Sequence, residues 1–555
     1  MLCMARSKWR HQQGIAPYIS PLAVILATLS SAVRIRGPKM MSSSFDRPEL
    51  VFGLVGALGT DLEKVEDALA QALLAVGYGH RTVRVSAQIA TAYTEIGLAP
   101  LPEGETPLDT LMDQGDALRR YRNDGATTAA IAIAAISDQR HEDFQGEDTP
   151  RAERNSIATI IRQLKHPDEV DLLRSVYGAR FVLLGVWTPR AERVIATHRR
   201  LRELSPNRDQ TWYDQQVPRL MNRDEQDGSH PLGQRVRDTF ELADAYIALR
   251  AGYEVSDEVG RVVRLLFGAP FETPTRDEQG MFQAFGARLR SSAGGRQVGA
   301  VVVDMEGELV ASGTNDVPKA GGGQYWTGDR PDHRDFQGGV DFNDQEKLQV
   351  VLDLVERLSS TEDWLSDDFQ KLEVRTLAEL ALKPNGPFHK SRVADLLEFG
   401  RILHAEMALI CTAARRGNAL AGLTMYTTTY PCHECARLII GSGICRVVYV
   451  DPYPKSLVPR MYATEIGEGL PGDDKVAFEA FAGIAPRLFP NVFAMTGRER
   501  NPVTGEYVKW IPGEAQPRLV DASVLRYPIQ IAEDEITTAL FNIETDGESL
   551  GIEEA

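Results

Sequence analysis

His404-Ala405-Glu406 and, further along, Pro431-Cys432-His433-Glu434-Cys435 are the stretches that decide how the carboxy-terminal half of this chain reads. Leu423 to Thr428 is a strand pattern running into the second stretch, and Cys432 to Gly441 opens a helix. Arg401 to Arg416 reads as the helix that carries His404 and Glu406. Zinc takes imidazole and thiolate in a tetrahedral shell, and a catalytic site keeps its fourth position for water. His404, Cys432 and Cys435 supply three ligands. The two cysteines, at a helix start, can turn both sulfurs to one ion, and the helix N-terminus favours their thiolate form.

Two plainer readings fit less well. A structural zinc clip needs a fourth protein ligand. His433 is the nearest candidate, but it sits inside the cysteine pair and would have to fold back against its own helix. A redox dithiol has no need of His404-Ala405-Glu406 on a separate helix. The spacing instead fits the pattern of zinc-dependent nucleobase deamination, H-x-E followed by P-C-x-x-C. Zinc there lowers the pKa of a water towards about 7, so hydroxide is available at neutral pH. Glu406, two residues past the His ligand, is placed to move protons: from the water to the ring nitrogen, then to the departing ammonia.

Outward from this centre, Arg276 to Ser291 reads as a helix and Val298 to Asp304 as a strand. Glu308 to Gly313 is its hairpin partner, and Arg446 to Val450 one more strand. Strands separated by helices predict a three-layer α/β/α domain. Gly321-Gly322-Gly323 begins a polar insertion, about 320–387, with a helix over Lys347 to Leu358. It is longer than a passive loop should be, which suits a lid or an assembly element. Two prolines and a glycine in Gly268 to Thr275 mark a boundary with the preceding domain.

That preceding domain opens on Leu50-Val51-Phe52-Gly53-Leu54-Val55-Gly56, a buried strand, followed by Ala57-Leu58-Gly59-Thr60-Asp61 and a helix from Leu62 to Val76. Strand, glycine loop and helix is the geometry that aims backbone N–H groups at an anion. Gly53, Gly56, Gly59 and Thr60 are its candidate nucleotide-binding residues. The loop departs from a working Walker A motif: no Lys follows Gly59, and Asp61 puts a negative charge where phosphate would sit. A glycine turn that only packs strand on helix explains it as well. Ala126 to Ile136 reads as a helix, Phe181 to Val186 as a buried strand and Phe240 to Leu249 as a helix, an alternation that predicts a parallel sheet.

The chain has 555 residues with 43% hydrophobic and 25% charged, which suits a multi-domain globular protein. Its net charge of −17 argues against a long nucleic acid as substrate, because phosphate backbones are bound through a basic surplus. A small anionic nucleotide needs only a few local cations. Five cysteines, an odd and low number, imply no disulfide framework. Basic residues before an apolar run from Pro21 to Val33 imitate a signal peptide, but the run is too short to span a bilayer. Residues 1–40 read instead as a disordered or mis-started extension, and the expected setting is cytoplasmic, with no membrane partner.

Tyr426-Thr427-Thr428-Thr429-Tyr430-Pro431-Cys432-His433-Glu434-Cys435-Ala436 resembles the deoxycytidylate branch of the cytidine and deoxycytidylate deaminase superfamily. Val298 to Val303 is similar to that branch's first strand, and Asn315 to the asparagine that contacts the deoxyribose; a turn residue is the other reading of Asn315. The glycine-loop domain, Lys165 to Val170 and Asp451 to Ser456 together resemble bacterial anti-phage dCTP deaminases, which join a P-loop kinase-like domain to a deaminase domain. The resemblance implies an α/β chain divided into a P-loop kinase-like domain at 41–272, a zinc-dependent deaminase domain at 273–515 and a tail at 516–555. It implies Zn2+ on His404, Cys432 and Cys435, with Glu406 catalytic. The expected activity is deamination of dCTP to dUTP, or of dCMP to dUMP, depleting dCTP during phage infection. The alternative is a housekeeping dCMP deaminase that supplies dUMP. A regulatory nucleotide at the amino-terminal domain and a homo-oligomer are the other expected partners.

Among single residues, Tyr430 can close over the base or simply fill core, and Lys455 can meet substrate phosphates or stand as a solvated charge. His333 and His389 lie in the insertion, where isolated histidines usually bind nothing. Cys411 reads as core.

Overall fold

A computed structural model of the chain describes residues 47–541, apart from 97, 99–103, 144–155, 229, 251, 362–363, 384–385, 390, 394–395, 397–398, 452–455, 470–473, 496–499 and 519–527. The expectations for residues 1–40 and for Lys455 therefore fall outside the described residues.

The first half alternates strand and helix. In chain order it runs β1 (Leu50–Gly56), α1 (Leu62–Ala75), β2 (Gly79–Arg84), α2 (Thr127–Asp143), β3 (Ile157–Arg162) and β4 (Phe181–Trp187). Then follow α3 (Arg190–Leu204), α4 (Gln210–Glu225), β5 (Ala245–Ala248) and α5 (Val255–Leu266). These strands form a parallel sheet in the order β5-β4-β1-β3-β2. Every residue of β1 is buried, as a central parallel strand covered on both faces requires. Leu50, Phe52 and Leu54 pack with residues of α1 and α5, and Val51 and Val55 with residues of α2 on the other face. Asp61 caps α1, its side chain accepting from the Lys64 N–H at 3.2 Å.

The helix expected over Phe240 to Leu249 is corrected here: Ala245–Ala248 is a fully buried strand paired with β4. A short apolar run buried on both faces has no period that separates strand from helix.

The second half runs α6 (Arg276–Arg288), β6 (Gly299–Val303), β7 (Leu309–Thr314), α7 (Phe342–Ser359), α8 (Ala405–Arg416), β8 (Thr424–Thr429), α9 (His433–Gly441), β9 (Arg446–Asp451), β10 (Ile466–Glu468) and β11 (Val476–Ala480). The sheet order is β10-β11-β9-β8-β6-β7, with β6 antiparallel to both its neighbours and the rest parallel. Alternation along the strands makes two apolar faces. Ala300, Val302, Met425 and Val447 pack with Leu409 of α8 and Ile439 of α9. Val301, Tyr426 and Val448 pack with Met281 and Ala284 of α6. The result is the expected α/β/α layering. Inside the insertion, Val351 and Val355 of α7 form a small separate cluster with Ala378.

After β11 the chain returns to the first sheet. β12 (Gly483–Ile484) pairs antiparallel with β5. Within the stretch read as a tail, α10 (Pro528–Phe541) sets Ile529, Ala532, Ile536 and Leu540 into the same core as α2. Arg140 of α2 is ion-paired with Glu533 of α10 and, at 2.9 Å, with Glu49 beside β1. The core over α6 is continuous with that over α2, so the two sheets share apolar packing. Among the described residues, no helix is long and apolar enough to cross a membrane.

Candidate metal centre and active site

The helix expected over Arg401 to Arg416 starts later, at Ala405. The Leu403 N–H donates to the Asp316 carbonyl at 3.1 Å, a β-bridge that holds the preceding residues out of the helix. His404 therefore stands at the N-cap of α8, with extended backbone, and Glu406 lies in the first turn. Cys432 occupies the matching N-cap of α9, and Cys435 lies in its first turn. Two helix N-termini thus meet at one point, and their partial positive charge favours thiolate there.

The cluster is tight. His404 Nδ1 lies 3.3 Å from the Sγ of both Cys432 and Cys435. All three ligand atoms lie within 4.8 Å of one another. A tetrahedral zinc with ordinary Zn–S and Zn–N bonds would set such N and S atoms roughly 3.5 Å apart. The donor set therefore fits the ion by both element and spacing. Among the described residues no fourth His, Cys, Asp or Glu joins the group, so His433 does not complete a closed structural site. The hydrogen bond from Cys435, together with His404, holds the Cys432 thiol down to about 4. Its bond to Cys432 and its burial push the Cys435 thiol up. The Cys432 sulfur raises His404 to about 9 against the opposing effect of burial.

Glu406 is buried beside the cluster, its Oε2 3.4 Å from Cys435 Sγ. Burial pushes its carboxyl above the usual range, which His404 opposes. Thr427 Oγ1 donates to Glu406 Oε1 at 3.2 Å. Thr427 was not singled out in the sequence; its signal is a hydroxyl on the inward face of β8, beside the cysteine loop.

The remaining candidates are placed as follows. Asn315 is buried, and its amide is engaged at both ends: Oδ1 accepts from the Val298 N–H at 2.6 Å and Nδ2 donates to the Arg296 carbonyl at 2.7 Å. Tyr430 packs edge-on against Tyr449 and Phe478, with ring centroids 4.8 and 5.4 Å apart. Gly53 lies mid-strand, where a Cβ would come 2.9 Å from Leu164 and Phe181 side-chain atoms. The Gly56 carbonyl accepts from Gln163 Nε2 at 2.6 Å. Gly59, at φ +88°, has the backbone of Arg193 directly over it. Thr60 directs a buried Oγ1 that finds no partner among the described residues. Cys411 is exposed rather than core, since it lies on the outer side of α8. Among the described residues, neither His333 nor His389 joins a metal-ligand group.

His404, Cys432 and Cys435 could hold a metal ion on three protein ligands, with a buried carboxylate beside them, on an α/β/α layer. Residues 274–451 match the family model described as the cytidine and deoxycytidylate deaminase zinc-binding region, so this part of the chain is a deaminase-family domain. The deoxycytidylate deaminase of Enterobacteria phage T2 is 46% identical over 54 residues, 10% of this chain and 29% of that enzyme. The deoxycytidylate deaminase of Enterobacteria phage T4 is 28% identical over 171 residues, 29% of this chain and 69% of that enzyme. The chain thus spans under a third of the T2 enzyme. A dCMP deaminase from the cyanophage S-TIM5, solved with dCMP and dUMP, is 18% identical, covering 38% of this chain and 100% of that one at a TM-score of 0.21.

Proposed function

We propose that this protein is a zinc-dependent hydrolytic deaminase of deoxycytidine nucleotides. The observation that carries this reading is the placing of buried Glu406 against the His404, Cys432 and Cys435 cluster. Bound zinc supplies Lewis acidity and lowers the pKa of a water. With zinc held by His404, Cys432 and Cys435, Glu406 would take one proton of the attacking water and give it to N3 of the base, where it stays, and would then carry that water's second proton to the departing amine. Water and the 4-amino nucleotide become the 4-oxo nucleotide and ammonia. The Thr427 hydroxyl holds one oxygen of Glu406, and the other faces Cys435 of the ligand cluster.

The T2 and T4 relatives are deoxycytidylate deaminases, which supports dCMP as a substrate. The loss of dCTP in anti-phage defence is supported by the pairing of the deaminase-family domain with a glycine-loop domain and by the resemblance stated above. In that reading residues 41–272 are the P-loop-like unit and 273–515 the deaminase. A housekeeping role in dUMP supply is the second reading, which the T4 likeness favours. Purified protein incubated with dCMP, dCTP, CMP and CTP, with uracil products followed, tests the proposal. Turnover of dCTP sustains the defence reading, turnover of dCMP alone sustains the housekeeping one, and turnover of none sinks both.

A further inference from the structure

The carboxyl ends of β1 and β4 open on a cavity of about 470 Å³. β1 is where the first sheet changes direction: the chain runs from β1 to β2 and β3 on one side, then crosses to β4 and β5 on the other. In an open parallel sheet, ligands bind outside the strands' carboxyl ends at such a point. Here the far wall belongs to the deaminase half. Tyr430, Tyr449 and Ser456 face Thr60, Trp187 and Thr188 across the space. None of His404, Glu406, Cys432 and Cys435 lines it.

The lining is cationic in an acidic protein. Arg190, Arg193, Arg237 and Arg460 contribute four positive charges against Glu225 and Glu468. Glu225 already holds Arg190 at 3.3 Å and Arg193 at 3.0 Å. Three lining groups carry buried polar atoms with no partner among the described residues: Thr60 Oγ1, Thr188 Oγ1 and Arg193 Nη1. Thr188 is only 7% exposed. Buried donors are seldom left unpaired unless something else pairs them. Two of the glycine loop's amides are committed: Leu58 N–H to Asp224 at 2.6 Å and Thr60 N–H to the Ala57 carbonyl at 3.0 Å. Arg237 is engaged with Gln226 and, at 3.6 Å, with Asp238, so the groups best placed to receive an anion are the Thr60 and Thr188 hydroxyls, Arg193 Nη1 and the exposed Arg460. Trp187, Phe240 and Tyr430 add flat apolar surface suited to a base.

We infer that this cavity binds a nucleoside di- or triphosphate, distinct from the nucleotide being deaminated, and that its occupancy bears on the loop carrying Cys432. Arginines and the two threonine hydroxyls take the phosphates, and the aromatic wall takes the base. Tyr430 is the link: it lines the cavity and stands two residues before Cys432, and Ser456 Oγ donates to the Pro431 carbonyl at 2.9 Å. The inference locates the regulatory nucleotide in the space between the halves rather than in the glycine loop, and its binding part does not depend on the deaminase reading.

The test is isothermal titration of ATP and of dTTP into full-length, zinc-loaded protein, with hydrogen exchange followed over 426–436. Expected are binding of at least one of them and added protection of that segment. Arg460→Glu, at an exposed residue, should weaken binding about tenfold or more. Thr188→Val should weaken it several-fold. Both variants should keep the wild-type melting temperature. Glu406→Ala should bind as the wild type does, which separates this site from the catalytic one. No binding of either nucleotide at millimolar concentration overturns the inference. So does binding that neither Arg460→Glu nor Thr188→Val weakens, or binding that dCMP displaces. Binding without added protection overturns the link to the Cys432 loop. A protein that passes these tests yet deaminates nothing would sink the deaminase reading alone.

Discussion

Gly313 of β7 lies against the carbonyl of Ala405, the first residue of α8, with no room between them for a methyl group. The neighbouring Leu409 backbone closes the other side of the same gap. β7 therefore sets how near the sheet α8 can sit, and α8 carries His404 at its cap and Glu406 in its first turn.

Gly313→Ala should push α8 outward. Overpacking of this kind costs about 1–3 kcal/mol. A displacement near 1 Å at a catalytic group costs about 100-fold in rate. The expected outcome is a folded protein with dCMP turnover down by about that factor and weakened zinc retention. Steady-state kinetics and metal analysis check it, and wild-type turnover would show that α8 is not held by this contact.

Glu406→Ala should abolish deamination, by at least about 10³-fold, while zinc remains bound at wild-type stoichiometry. Glu406 lies beside the ligand cluster but outside it. Full activity in the folded variant would remove Glu406 from the mechanism.

Cys432→Ala and Cys435→Ala should each lose both metal and activity, because two remaining ligands cannot hold zinc firmly. Elemental analysis of the purified variants decides this. Stoichiometric zinc in either would mean that the ligands lie elsewhere.

Glu533→Ala should destabilise the whole protein by about 3 kcal/mol, the order of cost for breaking a buried ion pair from one side. Arg140 and the Tyr177 hydroxyl, at 2.8 Å, both lose their partner on α10. Urea unfolding measures it; an unchanged midpoint would show that α10 adds nothing to the core.

Asp451 gives a pH dependence. Burial pushes its carboxyl up to about 7, Glu241 adds to the rise, and Arg296 opposes it. Arg296 Nη2 is 2.5 Å from both carboxylates, so one guanidinium serves two. An unfolded chain releases this proton near about 3.9. The folded state thus keeps a proton that the unfolded state has lost. The stabilisation is full below the unfolded pKa and is lost as pH rises through about 7. The melting temperature should fall more steeply from about pH 5 to about pH 8 in the wild type than in Asp451→Asn. Parallel melting curves would refute this.

Much of the metal centre is legible in the sequence because its parts are local. A His two residues from a Glu, and two Cys three apart at a helix start, need only helix geometry to converge. The layers of the second half are legible for the same reason, since β6 alternates between faces and α6 carries a capping box on Thr275 and Glu278. What depends on distant partners is not. β5 reads as helix because its burial comes from β4 and β12, which no local period reports. Thr427 gains its role from Glu406 on another element. The cavity is assembled from segments as far apart as Thr60 and Arg460, so no single stretch announces it.

The return of β12 to the first sheet means that the two halves do not form an exchangeable cassette. A chain ended after Glu272 would leave β5 as a bare edge, open to pairing with other molecules, and would strip Arg140 of Glu533. Neither recombination nor a protein engineer could swap the metal-bearing half for another without also rewriting the sheet it completes.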